Sequence, residues 1–66
     1  MLIKINGKEE NLVNANTLAD LVSRKNLPPE TVVVEHNLNI IAAADLGKIF
    51  LKDQDTVEII RFCGGG

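Results

Sequence analysis

Apolar and polar residues alternate over Leu2–Ile5, with Ile3 and Ile5 on one face and Leu2 and Lys4 on the other. That period of two predicts a β-strand. Asn6-Gly7 follows, and a type I′ turn needs positive φ at both central residues, which this pair tolerates best. Lys8 to Val13 is then the returning strand. Its polarity (Lys8, Glu9, Glu10, Asn11) marks it as a solvated or edge strand. Asn14-Ala15-Asn16 breaks the pattern. Thr17-Leu18-Ala19-Asp20 reads as a capping box, and Leu18, Leu21 and Val22 fall at i, i+3 and i+4 on one helical stripe. Arg24 and Lys25 suit the last turn and Asn26 a C′ position, while Pro28-Pro29 forbids continuation. One helix of two to three turns results, apolar on one side.

The second half is β-rich. Thr31 to Glu35 is β-branched and predicts a strand. Asn37-Leu38-Asn39 is a turn, Ile40-Ile41-Ala42 a short strand, and a 3₁₀ turn or short helix is expected near Asp45. Lys52-Asp53-Gln54-Asp55 turns into a final strand, Thr56 to Phe62. A single one-sided helix must lie on one face of a sheet holding all the strands. The first and last strands are the most apolar and should lie side by side, parallel, in the centre. That is an α+β, β-grasp arrangement, ubiquitin-like: a mixed sheet of four to five strands with one main helix on one face, over residues 1–63, and a flexible Gly-Gly-Gly tail at 64–66.

Composition narrows the function. Sixty-six residues allow one domain, and 45% apolar with 24% charged is globular. One cysteine excludes an internal disulfide and an all-cysteine zinc site, and His36 alone does not complete a Cys/His site. A reducing, cytoplasmic setting fits. No apolar run points to a signal peptide or a membrane span. With net charge −2, no basic cluster and two phenylalanines as the only aromatics, nucleic acid is not expected as a partner. Asp53, Asp55 and Glu58 lack the loop glycine and bidentate terminal glutamate of a calcium loop and read as turn residues, so no metal site is expected. His36, at a strand end without an evident partner, reads as solvated. Lys4, Lys8, Lys25, Lys48 and Lys52 are scattered and serve solubility.

The ending Arg61-Phe62-Cys63-Gly64-Gly65-Gly66 carries the chemistry. Three glycines after a strand have no return segment to turn into. Without Cβ atoms they form an extensible tail that could thread a narrow channel. What such a tail offers is the α-carboxylate of Gly66. In the final strand Val57 and Ile59 face one way, Glu58, Ile60 and Phe62 the other. The helix covers one face only, so Val57 and Ile59 join Ile3, Ile5, Leu18, Leu21, Val22, Val32 and Val34 in the core. Ile60 and Phe62 are left exposed beside the tail as a docking patch, with Arg61 as a polar contact. The competing expectation is that segment 43–51 folds over them, Phe50 and Leu51 covering the patch. Cys63 reads as an inert surface thiol by default, with a transient link to a partner or capture of sulfur as the alternative. Nothing in the chain forms a nucleophile–base–orienter set or a phosphate loop, so no catalytic residue is assigned.

Four segments resemble the ThiS family, the ubiquitin-like sulfur carriers of thiamine biosynthesis: the first strand running into Ile5-Asn6-Gly7-Lys8, the helix start Thr17-Leu18-Ala19-Asp20-Leu21, the strand Val32 to Asn37, and the ending Asp55 to Gly66. The ending is the most specific. Gln54 departs from the glycine common in that family's Asp-Gly-Asp turn, and Cys63 from a small aliphatic residue. The resemblance implies a protein co-substrate rather than an enzyme, with no bound cofactor. An E1-like adenylyltransferase would use ATP and magnesium to turn the Gly66 carboxylate into an acyl-adenylate. A sulfur donor, such as a cysteine desulfurase persulfide, would convert it to a thiocarboxylate, and thiazole synthase would consume the sulfur. The alternatives are a carrier of the molybdopterin synthase small-subunit type, a ubiquitin-like binding module that is never activated and, more distantly, an enzyme or redox protein built on Cys63.

Overall fold

The computed structural model describes residues 1–61. Its elements run β1 (Leu2–Ile5), β2 (Lys8–Asn11), α1 (Leu18–Arg24), a 3₁₀ turn (Pro29–Thr31), β3 (Val32–His36), β4 (Asn39–Ile41), a 3₁₀ helix (Ala43–Lys48) and β5 (Thr56–Arg61). The five strands form one sheet in the order β2-β1-β5-β3-β4. β1 and β5 are neighbours and parallel, with Ile5 beside Val57. Every other pairing is antiparallel. The β-grasp expectation holds, with β5 at the centre.

Local chemistry sets each boundary. Asn6 and Gly7 take φ of 49° and 84°, the left-handed pair a type I′ hairpin requires. The capping box closes at α1: Asp20 N–H donates to Thr17 Oγ1 at 3.2 Å, and Thr17 N–H to Asp20 Oδ2 at 3.0 Å. The N–H groups of Asn16 and Thr17 hold the Asp20 carboxyl below the usual carboxylate range. Asn26, at φ 58°, ends the helix in the left-handed region. Leu18, Leu21 and Val22 are fully buried with Ile3, Val34 and Val57.

Several boundaries differ from expectation. β2 stops at Asn11, two residues early, because Asn14 turns left-handed and Val13 is left exposed. Thr31 belongs to the preceding 3₁₀ turn, held by hydrogen bonds from its N–H and Oγ1 to the Pro28 carbonyl. β4 spans Asn39–Ile41 rather than Ile40–Ala42, because the two-residue turn Asn37-Leu38 fixes the register at His36 opposite Asn39. Lys25 caps α1 instead of lying in its last turn, and its ammonium reaches Glu10 on β2 at 2.7 Å.

Candidate docking face and tail root

β5 is the strand that leads to the glycines, so its faces decide what a partner meets there. Val57 is fully buried and Ile59 half-buried on the helix side. Ile60 is 51% exposed on the opposite, open face. Register places Val33 directly opposite Ile60, Glu35 opposite Glu58, and Ile40 opposite Glu35. In an antiparallel pair such residues share a face. The open face therefore carries an apolar group of Val33, Ile40 and Ile60 with Glu35 and Glu58 among it.

The expectation that segment 43–51 covers Ile60 is not met. That segment packs over α1: Leu46 and Leu51 are buried in the core, and the Ile49 carbonyl accepts from Leu18 N–H at 3.0 Å. Phe50 points away and is 65% exposed. Its two neighbours are held by backbone bonds on the helix side, so the segment cannot also reach the open face.

Arg61 separates from Ile60. It faces the helix side by strand alternation and lines a groove with Lys8, Glu10, Lys25 and Leu27. The expected docking residues thus fall on two faces. Phe62, Cys63, Gly64, Gly65 and Gly66, including the expected boundary between domain and tail, lie outside the described residues.

Two features of this region escaped the sequence. Asn6 does more than turn. β1 bonds β5 through Lys4 N–H to the Asp55 carbonyl and Asn6 N–H to the Val57 carbonyl, both at 3.0 Å. Beyond that point the Asn6 side chain replaces the missing strand: Oδ1 accepts from Ile59 N–H at 2.7 Å and Nδ2 donates to the Ile59 carbonyl at 3.3 Å. The only signal available was the choice of asparagine at a left-handed position next to the central strand.

His36 is the second, and its solvated assignment is corrected. Its Nε2 lies 2.7 Å from Asp55 Oδ2, and both side chains are largely buried. Asp55 also accepts from Lys52 N–H at 2.9 Å and from Asn37 Nδ2 at 3.1 Å. Burial pushes the Asp55 carboxyl upward, but the bonds from His36, Lys52 and Asn37 outweigh it and hold it below the usual range. Asn37 Oδ1 in turn accepts from Thr56 N–H at 2.9 Å. This cluster fastens the start of β5, at the end of the strand away from the tail. Among the described residues, no group of three or more His, Cys, Asp or Glu could hold a metal.

A mixed five-stranded sheet with parallel β1 and β5 beside each other and one main helix on one face defines the ubiquitin-like, β-grasp class. Within it, the chain belongs to the ThiS family, whose family model matches residues 3–66. It is 33% identical over 66 residues to the sulfur carrier protein ThiS of Bacillus subtilis, covering 98% of this chain and 100% of that one. It is also 33% identical over 66 residues to the thiazole synthase of Magnetococcus marinus. There it spans 20% of the relative's length, as it does in the thiazole synthase of Paramagnetospirillum magneticum. The crystal structure of the thiamine biosynthesis protein ThiS from Geobacter metallireducens superposes with a TM-score of 0.82 at 30% identity, covering 100% of both chains.

Proposed function

We propose that this chain is a sulfur carrier of thiamine biosynthesis, acting through the carboxylate of Gly66. The single observation that carries this is the end-to-end match to a sulfur carrier of the same length, with a family match that runs through Gly66 itself. A carboxylate is a poor electrophile, so it needs a better leaving group. A Gly66 oxygen attacks the α-phosphorus of ATP on a magnesium-using adenylyltransferase, and pyrophosphate leaves. The donor sulfur then attacks the acyl carbon and AMP departs. With sulfide the product is the thiocarboxylate directly. With a cysteine desulfurase persulfide it is an acyl disulfide, which a second thiol must reduce. The bound sulfur cannot diffuse away, which is the advantage of carrying it on a protein.

Thiazole synthase is the proposed acceptor. The thiazole synthases that match include a segment like this chain within their own polypeptides, which supports pairing of carrier and synthase. The names of the relatives favour the thiamine role over the molybdopterin one. Ile60, with Phe62, is proposed as the docking patch for the adenylyltransferase, and Arg61 as a polar contact on the other side of the strand. A cytoplasmic location is proposed on the same grounds. No helix among the described residues is long and apolar enough to cross a membrane.

Mass spectrometry tests the function. Incubated with ATP, magnesium, a ThiS-family adenylyltransferase and sulfide, the chain should gain the mass difference between one sulfur and one oxygen. The variant lacking Gly66 should gain nothing. An unchanged mass for the intact chain, with the enzyme active on its own carrier, would leave a binding module as the better description.

A further inference from the structure

The open sheet face holds an electrostatic arrangement that the fold alone does not explain. Glu35 and Glu58 stand directly opposite each other on β3 and β5. Like charges at directly opposed positions destabilise a sheet. Among the described residues no ion pair reaches either carboxylate. Lys4, on the same face one strand from Glu58 and two from Glu35, stands opposite Glu9 in the register and forms an ion pair with none of the three. On the helix side the pattern is the reverse, since Glu10 is paired with Lys25 and Asp45 with Lys48.

The surroundings of the pair are apolar. Along the sheet, Ile40 lies beside Glu35 at the β4 edge, 72% exposed. One step nearer the tail on the same face come Val33 and Ile60. A second copy of this chain seated here would bring more carboxylates against these two. A partner with an apolar patch and a basic side chain would instead relieve the repulsion while covering Ile60.

We propose that Glu35 and Glu58 are specificity residues of the docking surface, receiving a lysine or arginine of the activating enzyme whose apolar neighbours cover Val33, Ile40 and Ile60. This rests on the sulfur-carrier function proposed above. Like charges opposed in a sheet disfavour it, and a basic partner side chain would relieve them in the complex. Stability and recognition should therefore respond to their removal in opposite directions, which a purely structural role would not produce.

The test is the pair of single variants Glu35→Gln and Glu58→Gln, with Asp45→Asn as a control that removes one charge from the helix side. In thermal melts either glutamine variant should raise Tm by about 2–6 °C. In steady-state adenylation by the cognate enzyme, KM for the carrier should rise roughly tenfold with kcat unchanged, and its rise with added salt should flatten. Asp45→Asn should do neither. If KM stays within twofold of wild type for both glutamine variants, or rises equally for Asp45→Asn, the proposal is overturned while the carrier function stands. If the wild-type chain is not adenylated at all, the function itself falls and this surface with it.

Discussion

The amide of Asn6 grips the backbone of Ile59 on both sides, accepting from its N–H at 2.7 Å and donating to its carbonyl at 3.3 Å. One side chain thereby acts as an extra rung of the parallel β1–β5 ladder, after β1 itself has turned away. Asn6→Gly keeps the left-handed turn and removes both bonds. Urea denaturation should show a loss of about 1–3 kcal/mol, and amide exchange at Ile59 should quicken more than at Val57. Equal quickening at both positions would show that the rung is not local.

Two residues with side chains occupy positions made for glycine. Leu38 sits at φ 74° and Gln54 at φ 76°. The left-handed region costs a bulky residue roughly 1–2 kcal/mol, part of which glycine gives back through its freer unfolded chain. Leu38→Gly and Gln54→Gly should each stabilise the fold by about 0.5–1 kcal/mol in chemical denaturation. The two should add, since the residues lie in different turns.

Asp55 should make stability acid-sensitive. Its folded pKa lies below the ordinary value, so the stabilisation is complete above the unfolded-state pKa and is lost as pH falls through the folded one. The urea midpoint should hold from neutral pH to about 5 and drop below about 4. Asp20 and Asp53, also held low by backbone N–H groups, act in the same direction. Asp55→Asn should therefore lower stability at neutral pH and shrink the acid slope without removing it. A slope identical to wild type would assign the effect to the other two.

Core and open face should separate stability from activation. Leu21→Ala empties a fully buried site on α1 and should cost about 2–5 kcal/mol. Ile60→Ser alters an exposed site, so stability should stay within about 0.5 kcal/mol, yet adenylation of the carrier should slow. Unimpaired adenylation of Ile60→Ser would remove that residue from the docking patch.

What could be read from the chain was what neighbours in sequence decide. The capping box at Thr17 and Asp20, the turn at Asn6-Gly7, and the stripe of Leu18, Leu21 and Val22 are local patterns, and all are present in the structure. The open position of Ile60 followed from strand alternation and a single helix. Bonds between distant residues were hidden. His36 meets Asp55 across 19 positions and Asn6 meets Ile59 across 53, and no periodicity encodes such partners. Arg61, expected as a polar contact of the Ile60 patch, falls on the other side because neighbours in a strand point to opposite faces.

The centre of the sheet is assembled from the two segments farthest apart along the chain. As a ribosome releases this polypeptide from its amino end, β1 must wait with an unfilled flank until residues 56–61 emerge. Without that stretch β1 and β3 share no partner, and the sheet falls into two separate hairpins.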